Sequence, residues 1–251
     1  EVVGSVKTSS LALLSDASHA FSDLVALTIT LFALRMAARP PSAKHTFGFH
    51  RAEVLGALIN GLLLLVMAGS IGFTAWQRWE SPREVNGGLV SIIGLISIAP
   101  SLFAVVRLRR SKNLNIKSAF LHALGDTLSS VVVVVSGVVI ALTGLARFDA
   151  LASLVVVALL IIGALRMLWQ VFHILLEAAP AGINPEKISR LVCGLPGVRS
   201  THDTHLWTLC SDVIYFTGHL VIDGQPDLKK AQETITQATK LLDKNGVHHA
   251  T

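Results

Sequence analysis

HAFSD, at residues 19–23, and HALGD, at residues 122–126, decide how this chain is organised. Each stretch places a histidine and an aspartate four residues apart within a long apolar segment. On a helix, such residues lie on the same face, one turn apart. Ionisable side chains at membrane depth are costly and rare, so they mark functional sites. Facing one another, the two pairs would form a site of nitrogen and oxygen ligands suited to a divalent metal ion: His19, Asp23, His122 and Asp126.

The composition predicts a polytopic helical membrane protein. Apolar residues make up 52% of the chain and charged residues only 15%, whereas about 25% is charged in a soluble domain. A membrane-spanning helix needs about 20 mostly apolar residues, and five segments qualify: 11–35, 53–77, 87–107, 117–144 and 150–176. The first ten residues fit the tail of an earlier helix. We therefore expect a bundle of six helices in the full protein, with most of the first helix missing here and both chain ends being fragment boundaries.

The charges of the connecting loops predict the topology. The net charge of +5 could suggest a nucleic-acid partner, but the basic residues gather in particular loops, and membrane orientation explains them better. The first loop is bounded by Arg35, Arg39, Lys44 and Arg51, and basic residues crowd the third loop and its ends: Arg107, Arg109, Arg110, Lys112 and Lys117. In the second loop, acidic residues balance Arg78 and Arg83, and the short fourth loop carries Arg147 and Asp149. The positive-inside rule then places the first loop, the third loop and the C-terminal region in the cytoplasm.

After Pro180 the composition becomes ordinary and polar, which divides the chain into a membrane domain, 1–178, and a soluble domain, 183–251. The soluble domain reads as α-β-β-α-β, with segments 185–195, 198–209, 213–223 and 229–244 and a last strand from Val247. The two cysteines, Cys193 and Cys210, provide no disulfide framework, which fits a reducing compartment. Cys210 fits either a core-facing strand residue or a metal ligand.

The membrane site also indicates a mechanism. Imidazole nitrogen and carboxylate oxygen suit zinc, and also cobalt, cadmium or manganese. Protons compete with the metal, because a ligand must be deprotonated before it binds. A site that opens alternately to each side of the membrane would therefore exchange metal for protons. Asp16 lies one turn before His19 and has three candidate roles: a further ligand, a hydrogen-bonding partner of a ligand or a proton carrier. The structural alternative for any one of these residues is a hydrogen bond to a neighbouring helix.

Five stretches carry a resemblance to the cation diffusion facilitator family: residues 9–19 with Asp23, residues 45–57 with Asn60 and Gly61, residues 113–115, residues 119–126 and residues 202–207. The sequence is similar to the zinc-transporting branch, which has HxxxD on both the second and the fifth helix. The resemblance implies a homodimeric cation/proton antiporter in a lipid bilayer, with a cytoplasmic ferredoxin-like, metallochaperone-like domain. It also implies that His19, Asp23, His122 and Asp126 form the transport site.

The resemblance further implies metal sites outside the membrane. His50 matches a position that binds another ion at the membrane–cytoplasm interface in some members, and His45 is a second candidate in the same loop. Positions that bind regulatory metal in the family correspond to His202, His205, His219 and His248, with His249 as the neighbour of the last. We expect His205 and His219, on paired strands, to reach one ion together with His248. A solvent-facing histidine is the alternative for His219.

Three classes of function compete. The first is an exporter of zinc, with cadmium, cobalt, manganese and iron as further candidate ions, in a bacterial or archaeal cytoplasmic membrane or in an organelle. The second is an intramembrane metalloprotease, which would need HExxH on a helix, and the sequence contains no such motif. We therefore expect no enzyme activity. The third is a metal sensor or scaffold that binds metal through its soluble domain without transporting it.

Overall fold

The computed structural model describes the backbone of residues 2–108, 114–210, 213–224 and 226–251, and the side chains of these except residues 2, 114–119, 121 and 122. Ahead of the C-terminal domain it contains the helices α1 (Val2–Thr8), α2 (Leu11–Ala37), α3 (Ala52–Glu80), α4 (Gly87–Leu108), α5 (Leu114–Thr143) and α6 (Arg147–Leu175). Within these described residues, five helices are long and apolar enough to cross a membrane. The five predicted spans are therefore confirmed. Several basic residues of the third loop, Arg109, Arg110 and Lys112, lie outside the described residues.

All five long helices are longer than the sequence predicted, and α3 and α6 take in charged residues that we had assigned to the second and fourth loops. α3 ends at Glu80, so Arg78 belongs to its last turn, and α6 begins at Arg147, so Asp149 belongs to its first turn. Both charges suit these places, because the helix dipole favours cations at the C-terminus and anions at the N-terminus. The second and fourth loops are correspondingly shorter.

The chain divides into two compact units, the first of which comprises residues 1–28 and 59–166. Its core includes a cluster of Leu11, Ala68, Ile71, Ala75, Val156, Val157 and Leu160. α4 and α5 approach each other closely where Gly87 faces Gly137, because a Cβ atom built on Gly87 would lie 2.5 Å from the Gly137 carbonyl oxygen. Small residues at such a crossing allow membrane helices to gain packing energy from backbone contact.

A buried carboxylate in the first unit caps the N-terminus of α2. Asp149, 1% exposed, accepts hydrogen bonds from the Ser10 hydroxyl and from the backbone N–H groups of Leu11, at 2.6 Å, and Ala12, at 3.3 Å. These N–H groups have no partner within their own helix, so a cap from elsewhere replaces the water they would otherwise need. The Arg78 guanidinium lies 3.6 Å from the same carboxylate and also donates to the Ser9 carbonyl. Asp149 thereby joins the start of α2 to α6 and α3.

The second unit comprises residues 29–58 and 167–251 and contains the C-terminal domain. Its elements are α7 (Pro185–Cys193), β1 (Val198–Cys210), β2 (Val213–Ile222), α8 (Leu228–Lys244) and β3 (His249–Ala250). The predicted order α-β-β-α-β is therefore confirmed. β2 is the central strand, antiparallel to β1 and parallel to β3. Both helices pack on one side of this sheet, in a core that includes Ile188, Val192, Leu206, Phe216, Ala238 and Leu242.

Asparagine and aspartate caps define where the two helices of this domain begin. The Asn184 side chain accepts hydrogen bonds from the N–H groups of Glu186 and Lys187, and Pro185 occupies the first helical position. The Asp227 side chain accepts one from the Lys230 N–H. Such caps satisfy N–H groups that the first turn of a helix leaves unpaired. Cys210 is buried and packs with Val54 and Val171, which favours its role as a core residue over that of a ligand.

Candidate metal centre

The two helices that carry the HxxxD stretches, α2 and α5, are continuous through both of them. α5 is helical even through Val131–Val135, a run that in water would favour a strand. In a bilayer, a helix is preferred because it satisfies every backbone hydrogen bond within one segment. The helical spacing then places His19 one turn before Asp23 on α2, while α5 supplies Asp126.

Three of the four predicted ligands come together. His19 Nε2 lies 3.2 Å from Asp126 Oδ1, and His19 Nδ1 lies 4.0 Å from Asp23 Oδ1. One ligand atom from each of the three residues lies within 4.8 Å of the others. Neighbouring ligand atoms of a tetrahedral zinc ion are about 3.3 Å apart, because each bond is about 2.0 Å long. In the part of the chain that the structure describes, this is the one group of three or more His, Cys, Asp or Glu residues with such spacing.

His122 belongs to α5 and lies one turn before Asp126 along that helix. The side chain of this fourth predicted ligand lies outside the described residues. Its backbone position keeps it on the α5 face that carries Asp126, because residues four apart on a helix share a face.

Asp16 takes part in a different set of contacts from the three clustered residues. One of its carboxylate oxygens accepts a hydrogen bond from the Ser129 hydroxyl and the other accepts one from the Ser130 hydroxyl, each at 3.0 Å. All three residues are buried. We did not predict a role for the two serines from the sequence, although they follow Asp126 at spacings of three and four, which places them one turn further along the same face.

The histidines of the C-terminal domain group differently from our expectation. β1 pairs His202 with His219, and their ring centroids lie 5.1 Å apart, whereas His205 pairs with Thr217. Between these two pairs, β1 advances by three residues while β2 advances by only two. The extra residue forms a β-bulge at Asp203, whose φ of 51° is left-handed. The residue directly opposite His219 is therefore His202 and not His205, and the grouping of His205, His219 and His248 around one ion stays a prediction.

The two remaining histidines of that prediction also have separate surroundings. His205 Nε2 lies 3.0 Å from Asp203 Oδ1, and both side chains are exposed. His248 Nδ1 accepts a hydrogen bond from the Ile214 N–H, at 3.3 Å. The neighbouring His249 ring lies against Tyr215, with centroids 4.8 Å apart. The pair of His202 and His219 is therefore the part of the predicted regulatory set that the sheet brings together.

His50 and His45 lie in the connection between α2 and α3, within the second unit. The His45 ring packs on Phe49, with centroids 4.3 Å apart. His50 is partly buried, and neither histidine belongs to a group of three potential ligands among the described residues. Arg51, next to His50, forms an ion pair with Glu177 at 2.8 Å.

Comparisons with known proteins agree along the whole chain. The family model described as the cation efflux transmembrane domain matches residues 1–176, and the one described as the cation efflux protein cytoplasmic domain matches residues 180–251. A cadmium, cobalt and zinc/H(+)-K(+) antiporter of Bacillus subtilis is 32% identical over 100% of this chain and 82% of its own length. The metal cation efflux system protein CzcD of Cupriavidus metallidurans and the zinc transporter ZitB of Escherichia coli are each 34% identical over 100% of this chain and 80% of their own lengths.

Proposed function

This chain belongs to the cation efflux family, and we propose that it exports divalent metal ions, zinc first among them, in exchange for protons. The observation that carries the proposal is the group of His19, Asp23 and Asp126 on two apolar helices. Such ionisable groups persist at membrane depth only where they have a function or a partner. We assign these three residues and His122 as the ligands of the transported ion.

The same atoms serve both ions of the exchange. His19 Nε2 and Asp126 Oδ1, 3.2 Å apart, lie within hydrogen-bond distance and can share a proton. They can also bind one metal ion, provided that both are deprotonated. Because metal and proton exclude each other at these atoms, loading metal from one side releases protons, and protons arriving from the other side expel the metal. Alternating access to the site then couples the two fluxes.

The donor set supports zinc, cadmium and cobalt as substrates. One or two imidazole nitrogens beside carboxylate oxygens form a borderline site, which is softer than the all-oxygen sites that suit manganese or magnesium. The names of the relatives include cadmium, cobalt and zinc. Zinc takes the first place in our proposal because tetrahedral sites with N and O ligands suit it without distortion.

We further propose that the C-terminal domain, from about residue 183, lies in the cytoplasm and joins two copies of the chain. The family model that matches residues 180–251 describes the cytoplasmic domain of cation efflux proteins, and its name, ZT_dimer, refers to a dimer. The paired rings of His202 and His219 provide two nitrogen ligands at its surface. Regulatory metal bound there would stabilise the domain by an amount that grows with the logarithm of the metal concentration above the dissociation constant. The membrane domain, 1–178, would carry out the transport itself.

Uptake into proteoliposomes tests the proposal. The full-length protein is reconstituted, a pH gradient is imposed, and zinc entry is followed with a trapped fluorescent indicator. We expect His19→Asn and Asp126→Asn to lower uptake about tenfold or more, since each removes a ligand. His173→Asn is the matched control, because His173 lies on α6 and contacts the Trp169 carbonyl instead of the cluster.

Two results would contradict the proposal. Unchanged uptake in His19→Asn would show that the cluster does not carry the ion. Zinc binding without gradient-driven uptake in the unmodified protein would favour the alternative, a membrane metal sensor that acts through its C-terminal domain.

A further inference from the structure

Asp16 is the most deeply buried carboxylate of α2, and its contacts point to α5. It is 5% exposed, Ser129 is 3% exposed and Ser130 is 5% exposed. A carboxylate in an apolar bundle is costly unless hydrogen bonds replace its water. Here two hydroxyl groups donate to its two oxygens. Both donors belong to one neighbouring helix, so the pair fixes the height and the rotation of α2 against α5.

The contact of Asp16 with Ser129 and Ser130 and the group of His19, Asp23 and Asp126 lie at successive levels along the same pair of helices, α2 and α5. Asp16 precedes His19 by one turn on α2, whereas Ser129 follows Asp126 by about one turn on α5. The two helices are therefore antiparallel at this point, and the Asp16–Ser129/Ser130 layer lies beside the His19–Asp126 layer. A slip of α2 by one residue would move it by about 1.5 Å and turn it by about 100°, which would carry the His19 ring away from Asp126.

We propose that Asp16 is a positioning residue of the transport site: through Ser129 and Ser130 it holds α2 in register with α5, so that His19 and Asp126 face one ion. The proposal rests on the function proposed above. It assigns to Asp16 the role of fixing ligand geometry, and it separates this residue from the ligands and from the proton-carrying groups. Groups that orient metal ligands typically affect metal affinity by 10- to 100-fold.

Zinc binding and uptake by the full-length protein test this role. The dissociation constant is measured by competition with a chromophoric chelator, and the membrane site is identified as the binding that His19→Asn removes. We expect Asp16→Ala, and equally the double variant Ser129→Ala/Ser130→Ala, to weaken that binding about 10- to 100-fold. The same variants should raise KM for zinc more than they lower the maximal rate. Ser136→Ala is the matched control, because Ser136 is a buried α5 serine whose hydroxyl bonds the Phe148 carbonyl at 3.0 Å.

Asp16→Asn separates positioning from proton transfer. The amide oxygen of asparagine can accept a hydrogen bond from one serine, and its NH₂ group can donate one to the oxygen of the other. The contact between α2 and α5 is therefore kept without a titratable group. We expect Asp16→Asn to restore zinc affinity to within about threefold of the unmodified protein and to leave the pH dependence of uptake unchanged. The visible spectrum of bound cobalt should likewise match in Asp16→Asn and change in the double serine variant.

Each outcome decides between roles. Normal zinc affinity in the double serine variant would overturn the proposal, and that variant decides the question if Asp16→Ala does not fold. If Asp16→Asn binds zinc normally but loses proton-driven uptake, the positioning role is overturned and Asp16 is a proton carrier. Failure of His19→Asn to alter zinc binding would overturn the proposed function, and this inference with it. If every Asp16 and serine variant binds and takes up zinc normally while His19→Asn does not, the inference about Asp16 is overturned and the proposed function stands.

Discussion

Replacing Asp149 by alanine should destabilise the first unit by about 4 kcal/mol. The change removes the acceptor of two buried backbone N–H groups, those of Leu11 and Ala12. Each buried donor left without an acceptor costs about 1–3 kcal/mol, so the two together cost about 2–6 kcal/mol. Arg78 also loses its ion-pair partner at 3.6 Å, although it keeps its bond to the Ser9 carbonyl. A loss of this size is a large part of the roughly 5–15 kcal/mol that holds a typical protein folded.

Asp149→Asn should cost only about 1–2 kcal/mol. Asparagine caps helices about as well as aspartate, and its amide oxygen can still accept from the Leu11 N–H. What it loses is the charge that faces Arg78 and the helix dipole. Asp227→Ala is the control for an exposed cap: it removes the single bond to the Lys230 N–H at 2.8 Å and should cost about 1 kcal/mol.

Titration of each full-length variant with SDS measures these free energies, and tryptophan fluorescence reports on the unit, because Trp76 and Trp79 flank Arg78 on α3. The expected order of destabilisation is Asp149→Ala, then Asp149→Asn. Equal destabilisation by the two variants would show that the charge pair with Arg78, and not the cap, stabilises this end of α2. No destabilisation by either variant would refute the reasoning entirely.

Three further predictions concern metal. Replacing His19 by aspartate should raise manganese uptake relative to zinc and cadmium, because an oxygen donor replaces a borderline nitrogen donor, and equal relative rates in a competition assay would contradict this. Lowering the pH on the loading side should raise KM for zinc, because protons occupy the ligands that the metal needs, and a KM that does not change with pH would count against the shared site. Zinc should raise the melting temperature of the full-length protein through the C-terminal domain. The double change His202→Ala/His219→Ala should remove that part of the rise, whereas His205→Ala, whose ring contacts Asp203, should keep it.

The features that sequence predicted well depend on local geometry. The pairing of His19 with Asp23 needs only a helical turn, and α2 provides it. The start of α7 follows from Asn184 and Pro185, which are adjacent in sequence and act within one turn. Length and hydropathy were sufficient for the five spans, because the bilayer leaves an apolar segment few alternatives to a helix.

The features that sequence did not predict depend on contacts between distant residues. Asp149 lies in a stretch that resembles a short charged loop, yet it caps a helix that begins more than a hundred residues earlier. In the sequence, Ser129 and Ser130 resemble ordinary small residues of a membrane helix. Only the fold shows that their hydroxyl groups donate to Asp16. The bulge at Asp203 needs one residue with a positive φ, which aspartate tolerates better than most residues, but many aspartates in strands and loops do not adopt it.

Within the first unit, the polar contacts of α2 follow one another along its N-terminal half. Asp149 binds the first residues of the helix, Ser129 and Ser130 bind Asp16, and Asp126 meets His19. Each contact replaces water that the bilayer cannot supply, so breaking any one of them would leave a buried polar group without its partner. It follows that α2 and α5 should keep their mutual register while access to the ion changes. The proposed exchange of metal for protons at His19 and Asp126 would then need no rearrangement of the ligands themselves, because the contact of Asp16 with Ser129 and Ser130 would hold them in place throughout.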